Sequence, residues 1–184
     1  MTDGQLWVFA YGSLLWDPGF EVAERQIAVL ADHHRSFCMW SIHHRGTVQD
    51  PGLVLALDRA QGTRCTGLAL RVPAGNEDDT LAYLRERELI SAAYTEEICA
   101  VTLEGGPAVR AVTYVIDPGH VQYCGDLPLE RQAQVIATSV GGRGPNHEYL
   151  SRTYSQLQAL GIDDPDMAWL ERRVAELTKG AGQH

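Results

Sequence analysis

A chain of 184 residues can hold one domain with a sizeable core, and 45% hydrophobic content is ordinary for a globular protein. The formal net charge is -9, with no basic run to offset it, which argues against a nucleic-acid partner. No apolar run approaches the ~20 residues of a membrane helix and no basic-then-apolar leader opens the chain. The expectation is therefore a cytoplasmic protein with no membrane partner, in which an anionic substrate would need a local cluster of positive groups.

The first apolar run, Leu6 to Tyr11, is rich in aromatic and β-branched residues and reads as a short buried strand. Gly12 and Ser13 interrupt it, and Asp17-Pro18-Gly19 marks a turn. A strand ending in a small-residue turn with free amides can bind an anionic or carbonyl oxygen, although an edge strand with an ordinary loop fits the same residues.

Further strand-like runs follow at Gln26–Leu30 and Ser36–Trp40. Leu53–Leu57 and Cys65–Val72 flank a polar loop with Gly62 as a hairpin would. Glu97–Leu103 and Val109–Ile116 are joined by Glu104-Gly105-Gly106-Pro107, the strongest hairpin signal in the chain. Between these hairpins Glu77–Ile90 has helical composition. Three helical periodicities close the chain: Leu129, Ala133, Ile136 and Val140; Leu150, Tyr154, Leu157 and Leu160 after an Asn146 cap; Met167, Leu170, Val174 and Leu177 after Pro165. The tail from Gly180 to His184 has nothing to bury and is expected to fray. Strands first and helices after predict one α+β domain over residues 1–184, with helices around a strongly curved sheet. Scattered apolar periodicity gives no reason to demand a partner chain, so a monomer is the default.

Within the Glu77–Ile90 helix, Leu81, Leu84 and Leu89 define an apolar arc that contains Glu88, while Glu86 points to the side. A carboxylate on an apolar face is costly unless it is paired or functional, so Glu88 is either bridged to an arginine or chemically employed. The histidine pairs His33-His34 and His43-His44 offer one inward ligand each on a strand, and no His-x-x-x-His spacing completes a site, so no metal centre is expected. Neither a Gly-x-Gly-x-x-Gly nor a Walker pattern occurs, and Ser13 lacks the Gly-x-Ser-x-Gly elbow of a hydrolase nucleophile. Cys38, Cys65, Cys99 and Cys124 are widely spaced without a Cys-x-x-Cys pair. They read as reduced thiols acting as small hydrophobes.

The segment Tyr11-Gly12-Ser13-Leu14 followed by Trp16 resembles the signature of the ChaC-type γ-glutamylcyclotransferases, with Ala10 where that family usually has glycine. Three further matches follow in chain order. His44-Arg45-Gly46-Thr47 precedes Pro51-Gly52. Arg87-Glu88 precedes the Ser91–Tyr94 turn. Asp117-Pro118, Tyr123 and the Gly144 to Leu150 segment come last. The resemblance covers roughly Leu6 to Leu160. It implies a small mixed β-barrel with flanking helices, no cofactor, and glutathione as substrate, cleaved to 5-oxoproline and Cys-Gly. It further implies Glu88 as catalytic acid/base, the adjacent Arg85-Glu86 pair leaving a register ambiguity. The substrate loop would be Ala10, Tyr11, Gly12, Ser13, Leu14 and Leu15, with Arg45, Tyr123 and Tyr149 holding carboxylates or shaping the pocket. A cyclotransferase for another γ-glutamyl amine or amino acid, or a non-catalytic domain that keeps the fold, would carry similar motifs.

Overall fold

The apolar runs of the N-terminal two thirds become strands whose pairing explains their composition. In the computed structural model, which describes residues 4–182, β1 (Trp7–Ala10) is buried at every position. It pairs antiparallel with one strand, Trp7 opposite Arg71 through Ala10 opposite Leu68, and parallel with another, Trp7 opposite Ala111 and Val8 opposite Val112. A strand covered on both edges and both faces reads as a continuous apolar run rather than an alternating one.

Two compact units divide the chain, the first comprising the described residues up to Ser36 together with Leu57–His120. The strands β1, β2 (Glu24–Ser41), β3 (Gly52–Arg71), β4 (Tyr94–Leu103) and β5 (Ala108–Ile116) close into a mixed barrel in the order β1-β3-β2-β4-β5, the first unit holding β2 up to Ser36 and β3 from Leu57. Its core includes Phe9, Tyr11, Leu30, Leu57, Val101 and Val115. The β4–β5 hairpin forms where Gly105 and Gly106 predicted it, with Gly105 left-handed at φ 64° and nine residue pairs in register. Helix α1 (Glu77–Glu88) attaches to the face of β4 and β5 that carries Glu96 and Tyr114. Arg85 donates Nε and Nη2 to Glu96 at 2.9 Å each, and Tyr114 Oη donates to Glu96 at 3.1 Å.

Two expected strand pairs turn out to be single long strands. Gln26–Leu30 and Ser36–Trp40 both belong to β2, and the Leu53–Leu57/Cys65–Val72 hairpin is instead the continuous β3. Left-handed residues take up the bending: Asp32 at φ 59° in β2 and Gly62 at φ 82° in β3, with the Gly62 amide donating to Asp32 Oδ1 at 2.8 Å. So strongly is β3 bent that it runs parallel to β5 at Leu57 and antiparallel to β1 from Leu68. Polar residues and one glycine look alike in a loop and in a bulged strand.

The second unit holds Phe37–Ala56 and the chain from Val121 onward. Helices α2 (Leu129–Thr138), α3 (Asn146–Ala159) and α4 (Pro165–Ala181) bury the periodic residues that predicted them, among them Ala133, Ile136, Leu150, Leu157, Leu170 and Val174. Asp164 caps α4, accepting from the Met167 amide at 3.1 Å, with Pro165 in the first turn. Three expectations need correction. Val140 is not helical: α2 ends at Thr138 because Ser139 turns extended, and Val140 enters the two-residue strand β6 (Val140–Gly141) opposite β7 (Gly144–Pro145) with its side chain exposed. Asn146 is not a cap. It is the first helical residue, fully buried, and its amide group accepts from Leu53 N and donates to Leu53 O, both at 2.8 Å. Gly180 and Ala181 are not frayed but helical, Gly182 following as a turn, while residues 183–184 lie outside the described residues.

Candidate functional site

Directly after β1 the chain enters a single 3₁₀ turn, Ser13–Leu15, preceded by Gly12 at φ -133° and ψ -123°. The Leu15 amide donates to Gly12 O at 2.9 Å, while Trp16 and Asp17 both donate to Ser13 O. The first amides of any helical turn have no partner within it. Here those of Ser13 and Leu14 make no hydrogen bond among the described residues. Of the predicted loop, Leu15 therefore contributes a buried side chain rather than an open donor, whereas Ser13 and Leu14 present adjacent amides. Ala10 and Tyr11 anchor the turn from behind. Ala10 is fully buried, Tyr11 Oη donates to Tyr114 O at 2.9 Å, and the buried Arg35 donates to Tyr11 O at 3.0 Å.

Glu88 is the last residue of α1, and the Leu89 amide closes the helix by donating a hydrogen bond to Arg85 O. Its side chain is 17% exposed, whereas Glu86 is on the exposed face, so the two neighbouring Arg-Glu pairs are not equivalent. The apolar arc is narrower than the spacing suggested. Thr80 and Leu84 are the buried residues of the helix, and Leu81 and Leu89 are half-buried. Burial pushes the Glu88 carboxyl above the ordinary glutamate range, and the Arg87 charge pulls it back in part. Tyr114 lies near enough to feel that carboxylate. Burial first, then the charge and hydrogen bond of Glu96 and the charge of Glu88, pushes its phenol far above its usual value.

Arg87 belongs to the Arg87-Glu88 match in the sequence, which assigns it no role in the site. Its Nε sits 3.4 Å from Glu88 Oε1, while Nη2 donates to Ser13 Oγ at 3.0 Å and Nη1 donates to Asp17 O at 2.7 Å and Tyr83 Oη at 3.2 Å. One guanidinium thus ties the end of α1 to the turn after β1 and brings Ser13 and Glu88 into one group. Its five fixed donors suit it to this better than a lysine. The sequence signal was available: an arginine beside a half-buried glutamate has a reason to be there.

In the second unit Arg45 and Tyr149 form a separate group. Arg45 is buried, its guanidinium 5.8 Å from the Tyr149 ring centroid, donating to Pro145 O at 3.1 Å and lying 3.8 Å from Glu148. Burial lowers its pKa, and Glu148 counters part of that shift. Tyr149 Oη accepts from the Leu55 amide at 3.2 Å, and its ring meets Phe37 edge-on at 6.0 Å between centroids. Tyr123 pairs with Met39 in an isolated antiparallel bridge, flanked by hydrogen bonds from the Trp40 amide to Gln122 O and from the Cys124 amide to Cys38 O. All four cysteines are free.

Residues 6–177 match the family model described as ChaC-like protein. The chain is 36% identical over 162 residues to the glutathione-specific gamma-glutamylcyclotransferase of Escherichia coli (strain K12), an overlap spanning 88% of this chain and 69% of that protein. It is 30% identical over 170 residues to glutathione-specific gamma-glutamylcyclotransferase 1 of Danio rerio, covering 90% of this chain and 87% of the relative. The fold is that of a yeast gamma-glutamyl cyclotransferase specific to glutathione, whose crystal structure superposes with a TM-score of 0.85 at 22% identity, over 94% of this chain and 96% of that one. Matched along nearly its whole length by family and fold alike, the chain belongs to the ChaC-like protein family.

Proposed function

We propose that this chain is a cofactor-independent γ-glutamylcyclotransferase that cleaves glutathione to 5-oxoproline and Cys-Gly, with Glu88 as general base and then general acid. The observation that carries this reading is a desolvated carboxylate linked through Arg87 to a turn with two open amides. The relatives' names supply the substrate.

In the reaction the α-amine nitrogen of the γ-glutamyl group forms a bond to its own γ-carbonyl carbon, and the bond from that carbon to the cysteine nitrogen breaks. The proton leaving the amine passes to the Glu88 carboxylate and from there to the departing nitrogen, so no water or co-reactant is consumed. With an ordinary glutamate near ~4.3 and an amine near ~8, the first transfer is uphill by roughly 5 kcal/mol. Burial of Glu88 shrinks that gap, and its retained acidity serves the second transfer. The amides of Ser13 and Leu14 face the developing oxyanion, where preorganised donors act most strongly. Because attacker and target belong to one molecule, the remaining task is holding amine and carbonyl about 3–3.5 Å apart.

Arg45, Tyr123 and Tyr149 take supporting roles in substrate recognition, Arg45 being the cation suited to a substrate carboxylate. The chain functions as one domain and as a monomer in the cytoplasm, without nucleic-acid or membrane partners. In support, no helix among the described residues is long and apolar enough to cross a membrane, and β2 and β3 run without a break through both units. Incubation of the purified chain with glutathione, beside a panel of other γ-glutamyl amino acids and amines, tests the reading. Release of 5-oxoproline and Cys-Gly from glutathione in preference to the panel is expected, and no product from the wild-type chain overturns it.

A further inference from the structure

The left-handed residue in β2 has a second consequence. Before it, Ala28 and Leu30 are buried and point into the barrel; beyond it the alternation resumes on odd positions at Arg35 and Phe37, before Cys38 and Met39 bury both faces of the strand. The register of β2 on β4, Ala28 opposite Leu103 and Val29 opposite Thr102, would if unbroken set His33 opposite the exposed Ile98. The extra residue at Asp32 instead turns His33 onto the face of β4 that carries Glu97 and Cys99. One ligating atom from each of these three side chains lies within 4.8 Å of the other two, and all three residues are half-buried.

His33 is prepared as a ligand. Its Nδ1 is 2.8 Å from Ala31 O, and a carbonyl can only accept, so Nδ1 carries the hydrogen. That leaves the lone pair of the neutral ring on Nε2, which is buried and has no partner among the described residues. A backbone carbonyl fixing one ring nitrogen while the other faces the ion is the usual outer support of a metal-bound histidine. We propose that His33, Glu97 and Cys99 form a binding site for a divalent ion of the zinc class, clamping the bulge of β2 to β4.

The imidazole, carboxylate and sulfur donors select zinc or cobalt(II) over magnesium and calcium, which take oxygen sets. Bond lengths of about 2.0–2.3 Å in a tetrahedron put ligands about 3.5 Å apart, so the three groups, all within 4.8 Å of one another, have little distance to close around an ion, with water as the fourth ligand. On coordination the Cys99 sulfur binds as thiolate and its proton goes to solvent. The competing group is Arg59, whose guanidinium pairs with Glu97 and whose charge acts on Cys99. The ligands come from two strands far apart in sequence, which explains why no His or Cys spacing announces them. Nothing in the site depends on the Glu88 reaction.

The test titrates the full chain, stripped with chelator and kept reduced, with Co²⁺. A thiolate-to-cobalt charge-transfer band saturating at one ion per chain is expected, displaced by Zn²⁺ and unaffected by Mg²⁺. His33→Ala and Cys99→Ser should each weaken binding by at least about tenfold, while Cys124→Ser keeps the band. Arg59→Gln leaves all three ligands in place and releases Glu97, so it should tighten binding by about two- to fivefold even if the ligand variants fold poorly. Absence of the band in the wild-type chain overturns the site, as does unchanged affinity in Cys99→Ser or weaker binding in Arg59→Gln.

Discussion

The turn after β1 and the clasp around Arg45 are built from similar materials, a small-residue loop and a buried or half-buried arginine, yet their polar groups end differently. Around Arg45 the chain satisfies itself. Ser41 Oγ accepts from the Arg45 amide, the carbonyls of His43 and His44 accept from Gly142 and Arg143, Ser139 Oγ donates to Pro51 O, and Asn146 closes both polar groups of Leu53. Gly141 is needed there because a Cβ would collide with the amides of Arg45 and Gly46. At the turn after β1, two amides stay open and a carboxylate is desolvated beside a single arginine. Buried polar groups are normally paired, and each exception calls for a reason. The backbone of the clasp is scaffold that holds Arg45 and Tyr149, whereas the turn keeps donors in reserve, as the proposed proton transfer beside it requires.

That contrast can be broken experimentally. The largest effect is expected from Ser13→Pro set against Ser13→Ala: both lose the Ser13 Oγ bond to Arg87, and only the proline also deletes the open amide at the first turn position. If that amide serves the oxyanion, kcat for glutathione falls by about 100- to 1,000-fold below that of Ser13→Ala, with the melting temperatures of the two variants nearly equal. A stability loss with full activity would assign the turn to scaffold as well. Asn146→Ala probes the clasp and should show the reverse. Stranding the Leu53 amide and carbonyl in the core should lower unfolding free energy in urea by about 2–4 kcal/mol, while the folded fraction keeps its kcat. The smallest effect sharpens the picture of Glu88. Because Arg87 pulls its pKa down against burial, Arg87→Gln should move the acid limb of the kcat/KM profile to higher pH. The sign follows from the base being active only when ionised. A limb that stays in place would mean that another group titrates.

Much of the fold was legible because burial on both faces leaves a continuous apolar run, as in β1, and because the Gly105 turn names its own hairpin. The three C-terminal helices were found by periodicity for the same reason: each buries a single stripe. What escaped was set by partners distant in sequence. Asn146 has a cap's composition and position, and only the approach of Leu53 turns it into a strand mimic. Asp32 and Gly62 look like loop residues until a neighbouring strand makes them bulges. Of the site, Glu88 could be read as a charge on an apolar face, and the Gly12–Leu14 turn as a source of amides. Arg87 could not be given its partners, because a fork reaching Ser13, Asp17 and Tyr83 is a tertiary fact.

In the proposed reaction the half-buried Glu88, and not its exposed neighbour Glu86, moves the proton. Parallel assays of the wild-type chain, Glu88→Gln and Glu86→Gln, scored by 5-oxoproline released from glutathione with circular dichroism as the fold check, test it most directly. Glu88→Gln should lose at least about 100-fold in kcat while remaining folded, with Glu86→Gln near wild type. Turnover retained in Glu88→Gln and lost in Glu86→Gln would assign the proton transfer to Glu86 instead.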